Sequence, residues 1–110
     1  MKIAAISDIH SNIYALEAVV ADISKRGVDV TVNLGDILYG PVAPKATYEL
    51  LMAHNFVTIS GNQDREIYQA VASQTDLSPT LQFVLDDLDD EALDWLRNLP
   101  FNHQLTDVVY

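Results

Sequence analysis

Asp8 and His10 are the first residues in this chain whose types and spacing could do chemistry. They stand two apart in Ser7-Asp8-Ile9-His10-Ser11-Asn12, so in an extended segment both side chains leave one face. A carboxylate beside an imidazole can chelate a hard or borderline metal ion. Two later stretches repeat the logic: Gly35-Asp36 and Gly61-Asn62-Gln63-Asp64. Two aspartates, one histidine and one asparagine amide make a donor set suited to a hydrolytic metal site.

Those residues need elements to hold them. Ile3-Ala4-Ala5-Ile6 is a short apolar run that fits a strand buried on both faces. Leu16, Val19, Val20 and Ile23 then fall on one helix face, with Asn12 as N-cap, Lys25 and Arg26 in the last turn and Gly27 beyond it. Val28, Val30, Val32 and Leu34 alternate as a second strand. Ile37 to Pro44 reads as a loop, and Pro44 opens a helix through Leu50, Leu51 and His54 with Asn55 as C-cap. Residues 56–60 form a third strand. Short helices follow over Arg65 to Ala72, from Ser78-Pro79 through Leu88, and from Asp89 or Asp90 to before Pro100; residues 106–110 resemble the start of a fourth strand.

The β-α-β-α-β order predicts an α/β fold: a mostly parallel sheet with right-handed crossovers and flanking helices. All strand C-termini of such a sheet lie along one edge, where ligands of open α/β folds bind. Asp8, His10, Asp36, Asn62 and Asp64 therefore converge there. Each also has a local explanation. Asp8 and Asp36 could cap the next helix, Asn62 could be a turn residue, and Asp64 reads equally as an N-cap or as an orienting residue. His10 lacks an obvious packing role. His54 reads as a helix C-terminal cation, His103 as a loop residue, and the acidic cluster of Asp86, Asp87, Asp89, Asp90 and Glu91 as a solvated helix junction with capping carboxylates.

Length and composition bound the function. The 110 residues suffice for one domain, and 49% hydrophobic residues allow a packed core. Six Lys and Arg against sixteen Asp and Glu give a net charge of −10, which argues against a nucleic-acid partner. There is no cysteine, hence no disulfide framework or thiol chemistry. No run approaches the roughly 18 apolar residues of a membrane span, and Asp8 and His10 interrupt any signal-peptide core, so a cytoplasmic protein without a membrane partner is expected. No phosphate-cradling glycine motif occurs.

Asp8-Ile9-His10, Gly35-Asp36-Ile37-Leu38-Tyr39-Gly40-Pro41 and Gly61-Asn62-Gln63-Asp64 resemble the first three motifs of the calcineurin-like metallophosphoesterases: D-x-H, G-D-x-x-Y-G-P and G-N-H/C-D. The small bacterial and archaeal phosphodiesterase-like subgroup looks most similar. The resemblance spans residues 1–110 as a single domain and implies half of an αββα sandwich. It further implies two divalent metal ions, Mn²⁺ foremost and Fe, Zn²⁺, Ni²⁺ or Mg²⁺ as alternatives. Asp8 and His10 would bind the first ion, Asp36 would bridge both, and Asn62 would bind the second and contact phosphate. Asp36, Asn62 and Asp64 are the catalytic candidates. A hydroxide bridging the ions would hydrolyse a phosphodiester, or a phosphomonoester or anhydride, of a small phosphorylated substrate.

Two departures stand out. Gln63 occupies the place of a histidine that protonates the leaving group in many members, and an amide cannot do so. The family also adds three histidine ligands beyond the third motif, and the chain stops at Tyr110 before them. A truncated domain is therefore expected, with partial or absent metal. Its open sheet face would be covered by a missing C-terminal half or by a homo-oligomer partner. The alternative is an inactive remnant that serves as a protein-interaction module.

Overall fold

The computed structural model describes residues 2–73 and 78–102. Among them the chain forms β1 (Ile3–Ile6), α1 (Ile13–Arg26), β2 (Val30–Asn33), α2 (Pro44–Met52), β3 (Val57–Thr58), α3 (Asn62–Ser73), α4 (Pro79–Asp87) and α5 (Asp90–Arg97). The expected fourth strand over 106–110 and His103 lie outside the described residues. The strands pair in parallel, as the β-α-β-α-β pattern predicts, and their order is β1-β2-β3. Ile6 is level with Asn33 and Asn33 with Thr58, so the three strand ends are in line.

The helix ends follow local chemistry. The Asn12 side chain accepts from the Ala15 N–H, and Gly27 closes α1 at φ +62°, a left-handed conformation that suits glycine. Ser78 and Asp89 accept from the third residue beyond them, Leu81 and Ala92. Asp87 accepts from the Lys45 backbone N–H in the first turn of α2, whose own N-cap, Ala43, has no capping side chain. Part of the acidic cluster is therefore helix-capping carboxylate. α2 is C-capped by Ala53, two residues before the expected Asn55, and His54 stacks on Phe56 at 5.3 Å between ring centroids.

The core gathers Leu16, Tyr48, Leu51, Ile67, Val84 and Leu96 from all five helices. Tyr48 and Trp95 meet edge to face, joining α2 to α5. Ile37 and Leu38 are also fully buried, although they belong to the stretch expected as loop. They anchor the segment that leaves Asp36. The two sheet faces differ. Ala4, Ile6, Thr31, Asn33 and Thr58 share one face, where Thr31 and Asn33 are buried. Ile3, Ala5, Val30, Val32 and Val57 share the other, which is wholly apolar, and Ile3 and Ala5 on it are exposed.

Candidate metal centre

The backbone ladder runs on past the strand ends and ties the loops together. Leu34 N–H donates to the Ile6 carbonyl, Asp8 N–H to Gly35, His10 N–H to Asp36 and Ser11 N–H to Ile37, over 2.8–3.1 Å. The residues after β1 and β2 thus lie side by side, which places Asp8, His10 and Asp36 at one edge. Four non-glycine residues here adopt left-handed backbone: Asp8 (φ +57°), His10 (+51°), Ser11 (+57°) and Asp36 (+58°). Such conformations are costly for side-chain-bearing residues and cluster at functional sites.

Glycines make the close approaches possible. A Cβ on Gly61 would lie 2.4 Å from Asp36 Oδ1, and one on Gly35 would lie 2.4 Å from the Gly61 nitrogen. A Cβ on Gly40 would lie 2.0 Å from the His10 carbonyl oxygen. The Tyr39-Gly40 segment can therefore fold back against the loop after β1.

Tyr39 also sets the chemistry of His10. His10 Nδ1 is 3.1 Å from the Tyr39 carbonyl oxygen. A carbonyl only accepts, so Nδ1 carries a proton and Nε2 is the ring nitrogen left to face outward. Nε2 is 3.4 Å from Asp8 Oδ1. A proton on Nε2 joins the two atoms, and a divalent cation could take that proton's place between them. This orientation, with the far ring nitrogen anchored on a carbonyl, is how a ligating histidine is held. Ser7 Oγ donates to Asp8 Oδ2 at 2.7 Å. This bond, foremost, holds the Asp8 carboxyl below the ordinary aspartate range, and His10 and Asp36 add to the effect.

The other candidates face protein donors. Asp36 Oδ1 accepts the Gln63 backbone N–H at 2.9 Å, so a carboxylate from the end of β2 caps α3. This contact accounts for a correction: α3 begins at Asn62, not at the expected Arg65. The Asn62 amide oxygen accepts from Arg65 Nη2. Asp64 is fully buried, and its carboxylate accepts the backbone N–H groups of Asp36, Ile37 and Gly61, each at 2.8 Å. Burial raises its pKa, against the three N–H donors, which lower it. Through these bonds Asp64 ties the loop after β2 to the turn that opens α3.

The structure therefore joins Asp8 to His10 and sets Asp36 beside them, while Asn62 points to Arg65. Among the described residues no group of three or more His, Asp or Glu is gathered in a form ready to hold a metal. The donor chemistry of Asp8, His10, Asp36 and Asn62 nonetheless fits divalent ions. A groove of about 640 Å³ opens beside Asp8 and His10 and runs between Leu16, Val19 and Val42. The motif spacing gave no warning of the parts played by Ser7, the Tyr39 carbonyl or Arg65. For Arg65, the i, i+3 spacing from Asn62 was the available signal.

Comparison with known proteins places the chain in a family. Residues 1–109 match the calcineurin-like phosphoesterase family. The chain belongs to that family of phosphoesterase hydrolases, as its three motifs indicate. It is similar to a metallophosphoesterase from Sphaerobacter thermophilus, with TM-score 0.68 and 34% identity, over 91% of this chain and 42% of that one. It is also 45% identical over 62 residues to an uncharacterized protein of Methanocaldococcus jannaschii, which covers 56% of this chain and 26% of that relative. The chain thus spans less than half the length of either. Among the described residues no helix is long and apolar enough to cross a membrane.

Proposed function

We propose that this chain carries the first part of a metal-dependent phosphoesterase site, with phosphodiesters or anhydrides of good leaving groups as its substrates. The observation that carries the proposal is the His10 ring, fixed through Nδ1 so that Nε2 faces the Asp8 carboxylate at 3.4 Å. Asp8 and His10 would hold one divalent ion, Asp36 would reach both, and Asn62 would hold the second; Mn²⁺ is the favoured ion. When bound, the ions supply an activated water and charge neutralisation at the phosphoryl group.

The chain's own residues orient these groups. Ser7 lowers the Asp8 pKa by donating to its carboxylate, the Tyr39 carbonyl accepts from His10 Nδ1, and Asp64 ties the Asp36 loop to the turn that opens α3. Gln63 supplies no acid: its side-chain oxygen is buried without a partner among the described residues, and its backbone N–H serves Asp36. This supports substrates whose leaving group departs without protonation.

The apolar sheet face bearing Ile3, Ala5, Val30, Val32 and Val57 supports a partner that completes the fold. We assign this role to a second sheet from a C-terminal half, or from another copy of the chain. A monodisperse monomer in light scattering would count against it. The engagement of Asp36 and Asn62 by protein donors favours a second reading, a remnant that acts as an interaction module.

Metal analysis with a bis-aryl phosphate assay in added Mn²⁺ separates the two. Mn²⁺-dependent hydrolysis lost in Asp8→Ala supports the phosphoesterase. A folded chain that retains no metal and turns over nothing supports the remnant.

A further inference from the structure

Arg26 and Arg97 pair with carboxylates on their own helices, Asp22 and Asp94. Arg65 does something different. In a chain of net charge −10, its guanidinium donates to a neutral amide, the Asn62 oxygen one turn earlier on α3. The same guanidinium lies over the exposed Phe101 ring, 5.4 Å from its centroid. The residue is therefore held at two points beside the strand-end edge, and one of them is an atom with a prospective chemical use.

We propose that Arg65 is a latch on the second metal position, holding the Asn62 oxygen until a divalent ion displaces it. This rests on the reading of Asn62 as a ligand. The Asn62 oxygen has lone pairs for more than one partner. A guanidinium and a divalent cation on one oxygen are nonetheless within a few ångströms of each other, and like charges that close repel even when exposed to water. Loading the ion therefore requires the guanidinium to leave. Phe101 keeps it nearby, because the ring contact does not depend on Asn62. The latch makes the second ion bind more weakly than Asn62 alone would allow.

The test uses the full chain and Mg²⁺, a diamagnetic ion. Isothermal titration compares the wild type with Arg65→Gln, and ¹⁵N NMR follows the Asn62 side-chain amide together with Arg65 Nε. Removing one positive charge at this range should tighten Mg²⁺ binding by about threefold to tenfold. In the wild type the Arg65 Nε signal should move in step with the Asn62 amide. Arg65→Lys keeps the charge and should stay near the wild-type affinity. Equal or weaker binding by Arg65→Gln overturns the latch, as does an Nε signal that stays put while Asn62 saturates. If Asn62 still responds to metal in either case, the phosphoesterase reading stands. If Mg²⁺ moves Asp8 and His10 but never Asn62, the latch falls together with the assignment of Asn62 as a ligand.

Discussion

The Asp64 carboxylate sits in the first turn of α3 and accepts the backbone N–H of Asp36, at 2.8 Å, from the far side of the β2–β3 crossover. Its two oxygens serve three donors, since Oδ2 also takes Gly61 N–H and Oδ1 takes Ile37 N–H. An amide has only one acceptor oxygen, and its NH₂ would confront an N–H. Asp64→Asn should therefore cost about 1–3 kcal/mol of stability through a buried donor left without an acceptor. Urea unfolding measures it, and an unchanged midpoint would refute the clamp.

The same carboxylate gives stability a pH dependence. Burial raises the folded pKa of Asp64, so the folded chain holds this proton more tightly than the unfolded chain. Stability from this group is then full at low pH and declines as pH rises from the ordinary aspartate range through the folded pKa. The stability difference between wild type and Asp64→Asn should shrink across that window. A difference that grows with pH would show that the three N–H donors outweigh burial.

Ser7→Ala removes the hydrogen bond that chiefly depresses the Asp8 pKa. The Asp8 carboxyl should then titrate higher, closer to an ordinary aspartate, as read by ¹³C NMR. Its ionised form would still be favoured by His10, so the shift should be partial. An unmoved midpoint would assign the depression to His10 and Asp36 instead.

Gly40→Ala puts a methyl group 2.0 Å from the His10 carbonyl oxygen, where only backbone movement can relieve it. The expected cost is about 1–3 kcal/mol. The loop after β1 should be displaced, visible as amide shifts at His10 and Ser11. A wild-type spectrum would mean that the Tyr39-Gly40 segment is not packed against this loop.

Gln63→His restores a side chain able to protonate a leaving group. General acids contribute about 10²–10⁴-fold, so a partial gain of about tenfold on alkyl phosphoesters is expected, with aryl esters little changed. Kinetics on paired alkyl and aryl substrates in Mn²⁺ decide it. Equal effects on both would show that leaving-group protonation is not what Gln63 forgoes.

Much of the arrangement was legible because local rules operate at short range. Asn12, Gly27, Ser78 and Asp89 cap where their types predict. Parallel pairing followed from the order of elements, and the three strand ends meet because parallel strands end on one edge. What escaped depends on partners distant in sequence. α3 starts early because Asp36, 27 positions before Gln63, caps it. Ile37 and Leu38 lie in a loop as expected, but their burial is tertiary and was not legible. In α1 the periodicity found the apolar stripe, yet Val19 on it stays exposed, since a pattern names the face but not its cover.

The left-handed backbone at Asp8, His10, Ser11 and Asp36 has a consequence for anyone seeking a hardier version of this protein. Glycine would relax the chain at each of these positions, so a screen for heat resistance would be drawn to them. It would select first against Asp8, His10 and Asp36, the side chains among them that could grip an ion. Robustness and reactivity pull in opposite directions on these three residues, and the most thermostable descendants of this chain should be the ones with the emptiest strand ends.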